Sequence, residues 1–407
     1  MRHPGLLPRR RAVSTQGRFC LVEALRGATA FRRSETMEKV FERVCGLDVH
    51  RDTVKACVRI AEPGTGAREE VQTFGTMTAD LLAMRDWLQA HGVTHVAMES
   101  TGVLWKPVYY TLEEDFTVLL VNAAHMRNVP GRKTDVMDCA WIAQLLQHGL
   151  LKPSFVPPKP IRDLRDLTRH RKVLTQARVA EVQRLHKLLQ DAGIKLSSVA
   201  TNILGASGRA MIEALLKGTT DPEALSNLAK GRLRAKMDAL GRALLGRFRS
   251  HHAFLAGEIL AHIDYLEESM ERITQALEES IRPFGQEVER LKTIPGVRDK
   301  TAQAIVSEIG VDMKAFPTPR NLASWAGVCP GNNESAGKHK SGRARKGNRW
   351  LRVALVEAAN AAIRDRNAYF SAQYARVSRK RGHKRAVVAV AHSMLVIAYH
   401  LMSRKTT

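Results

Sequence analysis

The chain is poor in several features that would each define a protein class. Its 407 residues contain five cysteines, Cys20, Cys45, Cys57, Cys139 and Cys329, scattered and without a Cys-x-x-Cys pair. That argues against a disulfide framework and a structural zinc site, and fits a reducing compartment. Aromatic residues make up only 5%. No stretch of 18 or more uncharged apolar residues is read in the sequence, which argues against a transmembrane protein. Acidic side chains are also in short supply, with 40 Asp and Glu against 64 Lys and Arg, a net charge of +24. Such a balance implies a polyanionic partner, either nucleic acid or an anionic membrane surface. No strongly amphipathic basic helix with bulky aromatics is present, so a membrane partner is not expected.

The length is a soft indication of two or three domains. The charge divides the chain more finely. Residues 1–36 carry +6, residues 37–155 carry −3, residues 156–250 carry +11, residues 251–287 carry −6 and residues 288–407 carry +16. The near-neutral part is expected to do chemistry while the basic parts hold a polyanion. Residues 1–36 are Arg-rich, without Lys and without apolar periodicity. They read either as an organelle transit peptide or as an extension upstream of a start at Met37, and they are left out of the fold.

From Val40 the pattern becomes regular. Val40–Val49 and Thr53–Ile60 read as strands joined by His50, Arg51 and Asp52, with Glu70–Thr76 a third strand. Leu81–Ala90 and Leu104–Leu112 read as helices, His95–Glu99 and Thr117–Asn122 as buried strands, and Asp135–His148 as a helix. This is an α/β domain with a mixed sheet over 37–155. Pro153, Pro157, Pro158 and Pro160 mark its end. Ile161–Leu189 reads as one long basic helix, a candidate for nucleic-acid backbone contacts. Residues 193–220 are rich in Gly and Ser. Ile259, Ile263, Leu266, Met270, Ile273 and Leu277 follow a 4-3-4-3-4 spacing, a heptad seam that suits either an intramolecular bundle or an oligomerising coiled coil. The segment 156–287 is thus a helical, coiled-coil-like middle, and 288–407 a mostly α C-terminal domain.

Four carboxylates stand out. Asp48 ends the first strand and Glu99 ends another, while Asp135 and Asp138 share one face of a helix start. Neighbouring strand ends bring Asp48 and Glu99 together, and a helix crossing there adds the other two. Four clustered carboxylates are costly without cations, so Mg²⁺ or Mn²⁺ is the expected occupant. Two such ions stabilise attacking and leaving oxygens in phosphodiester chemistry. Taken alone, each carboxylate could be structural; Thr134, for instance, competes with Asp135 for the helix cap. Arg127, Arg132 and Lys133, just before the helical aspartates, are placed to hold a phosphate or to form a solvated loop.

Farther along, Leu291–Gly310 reads as helix, Pro295-Gly296-Val297 turn, helix. Gly296 suits a close backbone approach to phosphate, as in a helix-hairpin-helix, or a plain αα-turn. Lys338, Lys340, Arg343, Arg345, Lys346, Arg349 and Arg352 fall within fifteen residues that contain no acid. Such density reads as a phosphate-contact loop. Trp350 within it stacks on a base or, more simply, anchors the next helix. Ser335, between Gly331 and Gly337, lies in what reads as an accessible loop, but a serine is a weak nucleophile unless activated.

Together GLDVH, MESTG, KTDVMDCAWIAQLL, the IPGV turn and LASWAGVCPGNNESAGKHKSGRARKGNRWLR make the chain resemble the DEDD transposases of insertion-sequence family one-ten, also known as bridge-RNA-guided recombinases. The likeness covers about residues 43–155 and 288–365. It implies an RNase H/RuvC-like N-terminal domain, with Asp48, Glu99, Asp135 and Asp138 as catalytic metal ligands and Ser335 as nucleophile. Ala336 replaces a usual Gly after that serine, and Ser341 is the fallback. The implied reaction is cleavage, exchange and religation of donor and target DNA through a phosphoserine, guided by a structured RNA in a dimer or tetramer. A bacterial cytoplasmic, nucleoid-associated setting goes with it. The alternatives are a metal-dependent junction-resolving nuclease using activated water, and an inactive nucleic-acid-binding protein.

Overall fold

The computed structural model describes residues 39–63, 66–100, 102–122, 138–331, 333–335, 338–341, 344, 346–365 and 368–405, with backbone alone for 333–335 and 338–341. Its packing divides the chain into two units, one ending at Val156 and the other beginning at Pro157.

The first unit is built on strands β1 (Arg43–Val49), β2 (Thr53–Ala61), β3 (Ala67–Gly75), β4 (His95–Glu99) and β5 (Thr117–Val121). Their order is β3-β2-β1-β4-β5. The first three form an antiparallel meander, while β1, β4 and β5 run parallel. This mixed five-stranded sheet is consistent with an RNase H-like domain. Alternation along the strands sends Cys45, Leu47, Val49, Val96 and Met98 to one face, under helices α1 (Thr78–Ala90) and α2 (Trp105–Leu112). Val44, Ala97 and Val121 face the other way, against helix α3 (Asp138–Gln147), with Cys57 of β2 beside them. Strand side chains alternate with period two, so the residues of β1 that share Val44's face are Gly46 and Asp48.

The second unit is helical. Helix α4 (Lys159–Asp191) begins with prolines at its cap and in its first turn, where a missing N–H costs nothing. It is followed by α5 (Ala206–Leu216), α6 (Pro222–Ser226), α7 (Met237–Leu244) and the long α8 (Ser250–Ile281). Contacts run from Thr175 to Met270, from Arg178 to Glu267 and from Glu181 to His262, so α4 and α8 lie antiparallel. Of the heptad seam, Ile263, Leu266 and Leu277 are buried within this chain. The seam is therefore an intramolecular one. The Gly/Ser-rich stretch holds α5, and α5–α7 close a core with the far end of the pair through Leu185, Leu189, Met211, Leu240 and Leu260.

The remainder comprises α9 (Gly285–Lys292), α10 (Asp299–Ile309), α11 (Pro319–Ala326), strands β6 (Asn333–Ser335) and β7 (Lys338–Ser341), and helices α12 (Arg349–Ala362), α13 (Tyr369–Arg381) and α14 (His383–Arg404). Two sequence expectations change here. The serine segment, read as an accessible loop, contains a two-stranded antiparallel ribbon. And α14 is long and apolar enough to cross a membrane by length and composition, a stretch broken by His392, Ser393, Tyr399 and His400. Its stripe of Ala386, Val387, Val390, Ala391, Met394, Leu395 and Ala398 is buried within the helical unit, where α11, α12 and α13 pack on it. The interruptions hid its hydropathy.

Candidate active site

Three of the four carboxylates lie in the described residues, and the fold brings them to one sheet face. The β1–β4 register pairs Leu47 with Met98, and continued by one residue it sets Asp48 beside Glu99. Glu99 shares the face of Ala97, and Asp48 that of Val44, both on the α3 side. Gly46 then fixes where the helix lies. A Cβ there would sit 2.1 Å from the Cys139 carbonyl oxygen and 2.4 Å from the Ala143 nitrogen. Only a missing side chain lets the first turn of α3 rest on β1, two residues from Asp48. Asp138, exposed, is the first residue of that turn. Asp135 lies outside the described residues, as do Arg127, Arg132 and Lys133.

Sequence reading missed two neighbours. His50 Nε2 lies 3.0 Å from an Asp48 carboxylate oxygen, with His50 59% and Asp48 23% exposed. Lys55 is the cross-strand partner of Asp48. The i, i+2 spacing of Asp48 and His50 was the signal for the first; the second needed the hairpin register. Burial is the main cause that pushes the Cys139 thiol up, with Asp48 adding to it and Lys55 opposing. That places both charges near the start of α3. Burial likewise pushes the Cys57 thiol up to about 11, with nearby Cys139 as a second cause. These cysteines are buried core residues whose thiols hold their protons.

In the second unit, Ser335 pairs with Lys338 at the turn end of the β6–β7 ribbon. The backbone of Lys340 lies in β7, Lys346, Arg349 and Arg352 are exposed, and Arg343 and Arg345 are outside the described residues. The ribbon's exit is firmly anchored. Asn348 caps α12 by accepting from the Leu351 N–H, and its side-chain amide donates to Glu308 at 2.6 Å. Glu308 is 1% exposed and accepts two bonds from Arg169, at 2.7 and 2.8 Å. Trp350 lies under the Arg169 guanidinium at 5.6 Å, so it anchors the helix start. Gly347 reaches within 2.3 Å, by its absent Cβ, of the Gly327 nitrogen.

Two expectations shift as a result. Gly296 adopts φ +87° in the turn between α9 and α10, and a Cβ there would meet the Ala358 carbonyl at 2.5 Å. Its requirement is met by packing on α12 before any phosphate is considered. The basic helix α4 spends much of its charge internally. Arg169 binds Glu308, Arg171 binds Gln303, Lys172 binds Glu357, Arg178 binds Glu267 and Arg184 binds Glu181.

Among the described residues, another set of close ligand atoms is Asp191, His251 and His252, all within 4.8 Å. The Arg249 N–H donates to His252 Nδ1, so in the neutral ring the proton sits on Nε2, which points to Asp191 at 3.1 Å. The Nδ1 lone pair is thus taken up by the helix cap and the Nε2 proton by Asp191, so neither ring nitrogen offers a lone pair to a metal ion in this arrangement.

A sheet that gathers carboxylates at parallel strand ends, followed by a helical unit with a serine ribbon, is consistent with a DNA transposase of the DEDD kind. A transposase family model matches residues 45–194, and a model for the Transposase IS116/IS110/IS902 family matches residues 288–375. The chain belongs to the IS110 family of transposases. It is 24% identical over 330 residues to a Pseudomonas aeruginosa chain named probable family 20 transposase, covering 79% of this chain and 88% of that one. It is also 28% identical over 206 residues to a Sinorhizobium fredii chain named putative transposase y4pF/y4sB, covering 49% of this chain and 47% of that one. A DEDD domain implies dependence on a divalent metal, and the oxygen-only donors Asp48, Glu99 and Asp138 suit a hard cation.

Proposed function

We propose that the chain moves an insertion sequence by cleaving, exchanging and religating DNA strands with Asp48, Glu99, Asp135 and Asp138 as ligands for Mg²⁺ or Mn²⁺. The observation that carries this reading is the convergence of Asp48, Glu99 and the start of α3 on one sheet face, held by Gly46. Bound divalent ions supply positive charge to a scissile phosphate and its leaving oxygen. His50 orients one Asp48 oxygen, leaving the other free to bind.

In this reading Ser335 is the nucleophile. Its Oγ forms a bond to phosphorus, the bond from phosphorus to a sugar oxygen breaks, and the leaving hydroxyl takes up a proton while the serine proton passes to solvent. A sugar hydroxyl of the exchanged strand then attacks the phosphoserine and frees the serine, so bond energy is conserved. The basic residues around Ser335, together with Arg127, Arg132, Lys133 and the turn at Gly296, hold phosphates. A structured RNA supplies the sequence reading by base pairing, and the working form is a dimer or tetramer in the bacterial cytoplasm, at the nucleoid.

The test uses the full chain with the RNA that copurifies and DNA carrying the element's ends. Ser335→Ala is expected to abolish the covalent protein–DNA adduct, and Ser341→Ala to preserve it. Cleavage by Ser335→Ala without adduct would instead assign the attack to water. Asp48→Asn is expected to reduce strand cleavage by at least about 100-fold, the upper range for substitutions one shell farther from a metal.

A further inference from the structure

The most basic exposed feature of the described residues is the corner where α13 meets α14. Arg376, Arg379, Lys380, Arg381, Lys384 and Arg385 fall within ten residues and are all exposed. After Asp365 the sequence contains no acidic side chain at all. Neither helix therefore supplies a counter-charge, in contrast to α4, whose cations are bound to carboxylates and amides of the bundle.

The corner is preformed. Gly382 turns the chain at φ +78°. Tyr374 bonds His383 Nδ1 at 2.9 Å, and the Gln373 amide donates to Ser393 at 2.8 Å, tying the two helices together. Three of the cations have an ordinary structural use. Arg379, Lys380 and Arg381 lie in the last turn of α13, where the helix dipole favours them. Lys384 and Arg385 lie in the first turn of α14, where the same dipole opposes positive charge. Local stability does not explain that placement, whereas an external anion does, because it satisfies both the cations and the dipole at once.

We infer that this corner is a separate docking surface for the phosphate backbone of duplex DNA, read without regard to sequence. The choice of DNA rests on the family assignment and not on the proposed metal or serine chemistry. A lipid surface fits less well, since the apolar stripe of α14 is buried and Tyr369 is the one large exposed apolar side chain on α13.

Binding of the full chain to a 30-base-pair duplex of arbitrary sequence, followed by fluorescence anisotropy in EDTA over a range of salt, tests this independently of catalysis. Lys384→Gln/Arg385→Gln is expected to weaken binding roughly 10- to 100-fold at about 0.1 M salt and to lower the log–log salt slope by about two. A second variant, Arg376→Gln/Lys380→Gln, is expected to act in the same direction. Lys217→Gln/Arg242→Gln removes the same charge from exposed positions elsewhere in the helical unit and is expected to leave the slope unchanged. An equal loss in that control, an unchanged slope in both corner variants, or a loss confined to an RNA duplex or phosphatidylserine vesicles would each overturn the inference.

Discussion

Gly46 touches no substrate in the proposed reaction, yet the site depends on it. Its α-carbon is the surface on which the first turn of α3 rests, so Gly46→Ala forces two backbones apart. We expect a loss of about 1–3 kcal/mol or more, typical of overpacking, read as a lower unfolding midpoint of the first unit. Cys57 makes a different prediction. Its thiol titrates near 9.0 when exposed and at about 11 in the fold, so the folded state holds the proton more tightly. Its contribution is complete below pH 9 and is lost as pH rises from there toward 11. Thermal melts at pH 8 and pH 10 are expected to show this fall, and Cys57→Ala to reduce it.

At the scale of elements, two predictions separate packing from assembly. Leu266 is buried in the α4–α8 seam, so Leu266→Ala is expected to cost about 2–5 kcal/mol, read by denaturant unfolding, without dissociating an oligomer in sedimentation. Glu308→Gln leaves Arg165 and Arg169 facing a neutral amide in a mostly closed space. A loss of about 3 kcal/mol is expected, the low end for a broken buried pair, because Arg169 keeps some contact with solvent. Much of this layer was legible in the sequence. The strands read at His95–Glu99 and Thr53–Ile60 and the body of the helix read at Asp135–His148 follow from period-two and period-3.6 patterns. What was not legible depended on partners distant in sequence. The heptad of α8 fits α4 as well as it fits another chain, and nothing local distinguishes them. The charges of α4 looked free because their carboxylates and amides lie about 90 to 185 residues away or, for Glu181, one turn along. The apolar character of α14 was concealed by scattered His, Ser and Tyr.

At the scale of the whole molecule, the excess of basic side chains has a location. The net charge of +24 is not a coat spread over the surface. Part of it is consumed inside the helical bundle, and part is concentrated around the serine ribbon and the α13–α14 corner, while the sheet unit holds the carboxylates. If a divalent ion binds those carboxylates only when the sheet and α3 are assembled, it stabilises the first unit selectively. Saturation at about 100 times its dissociation constant is worth about 2.7 kcal/mol, so Mn²⁺ is expected to raise the midpoint of one calorimetric transition and leave the other in place. An equal shift in both transitions would count against the carboxylate site.

The dependence on α3 also has a consequence in time. Asp48 leaves the ribosome about 90 residues before Asp138, which at about 5–20 residues per second is an interval of roughly 5–20 s. During that interval the β1–β2–β3 hairpins can form from local contacts, but the helix that brings Asp138 to them has not yet been made. On the proposed reading the nascent chain carries an incomplete set of ligands, and strand cleavage waits until α3 has seated on Gly46.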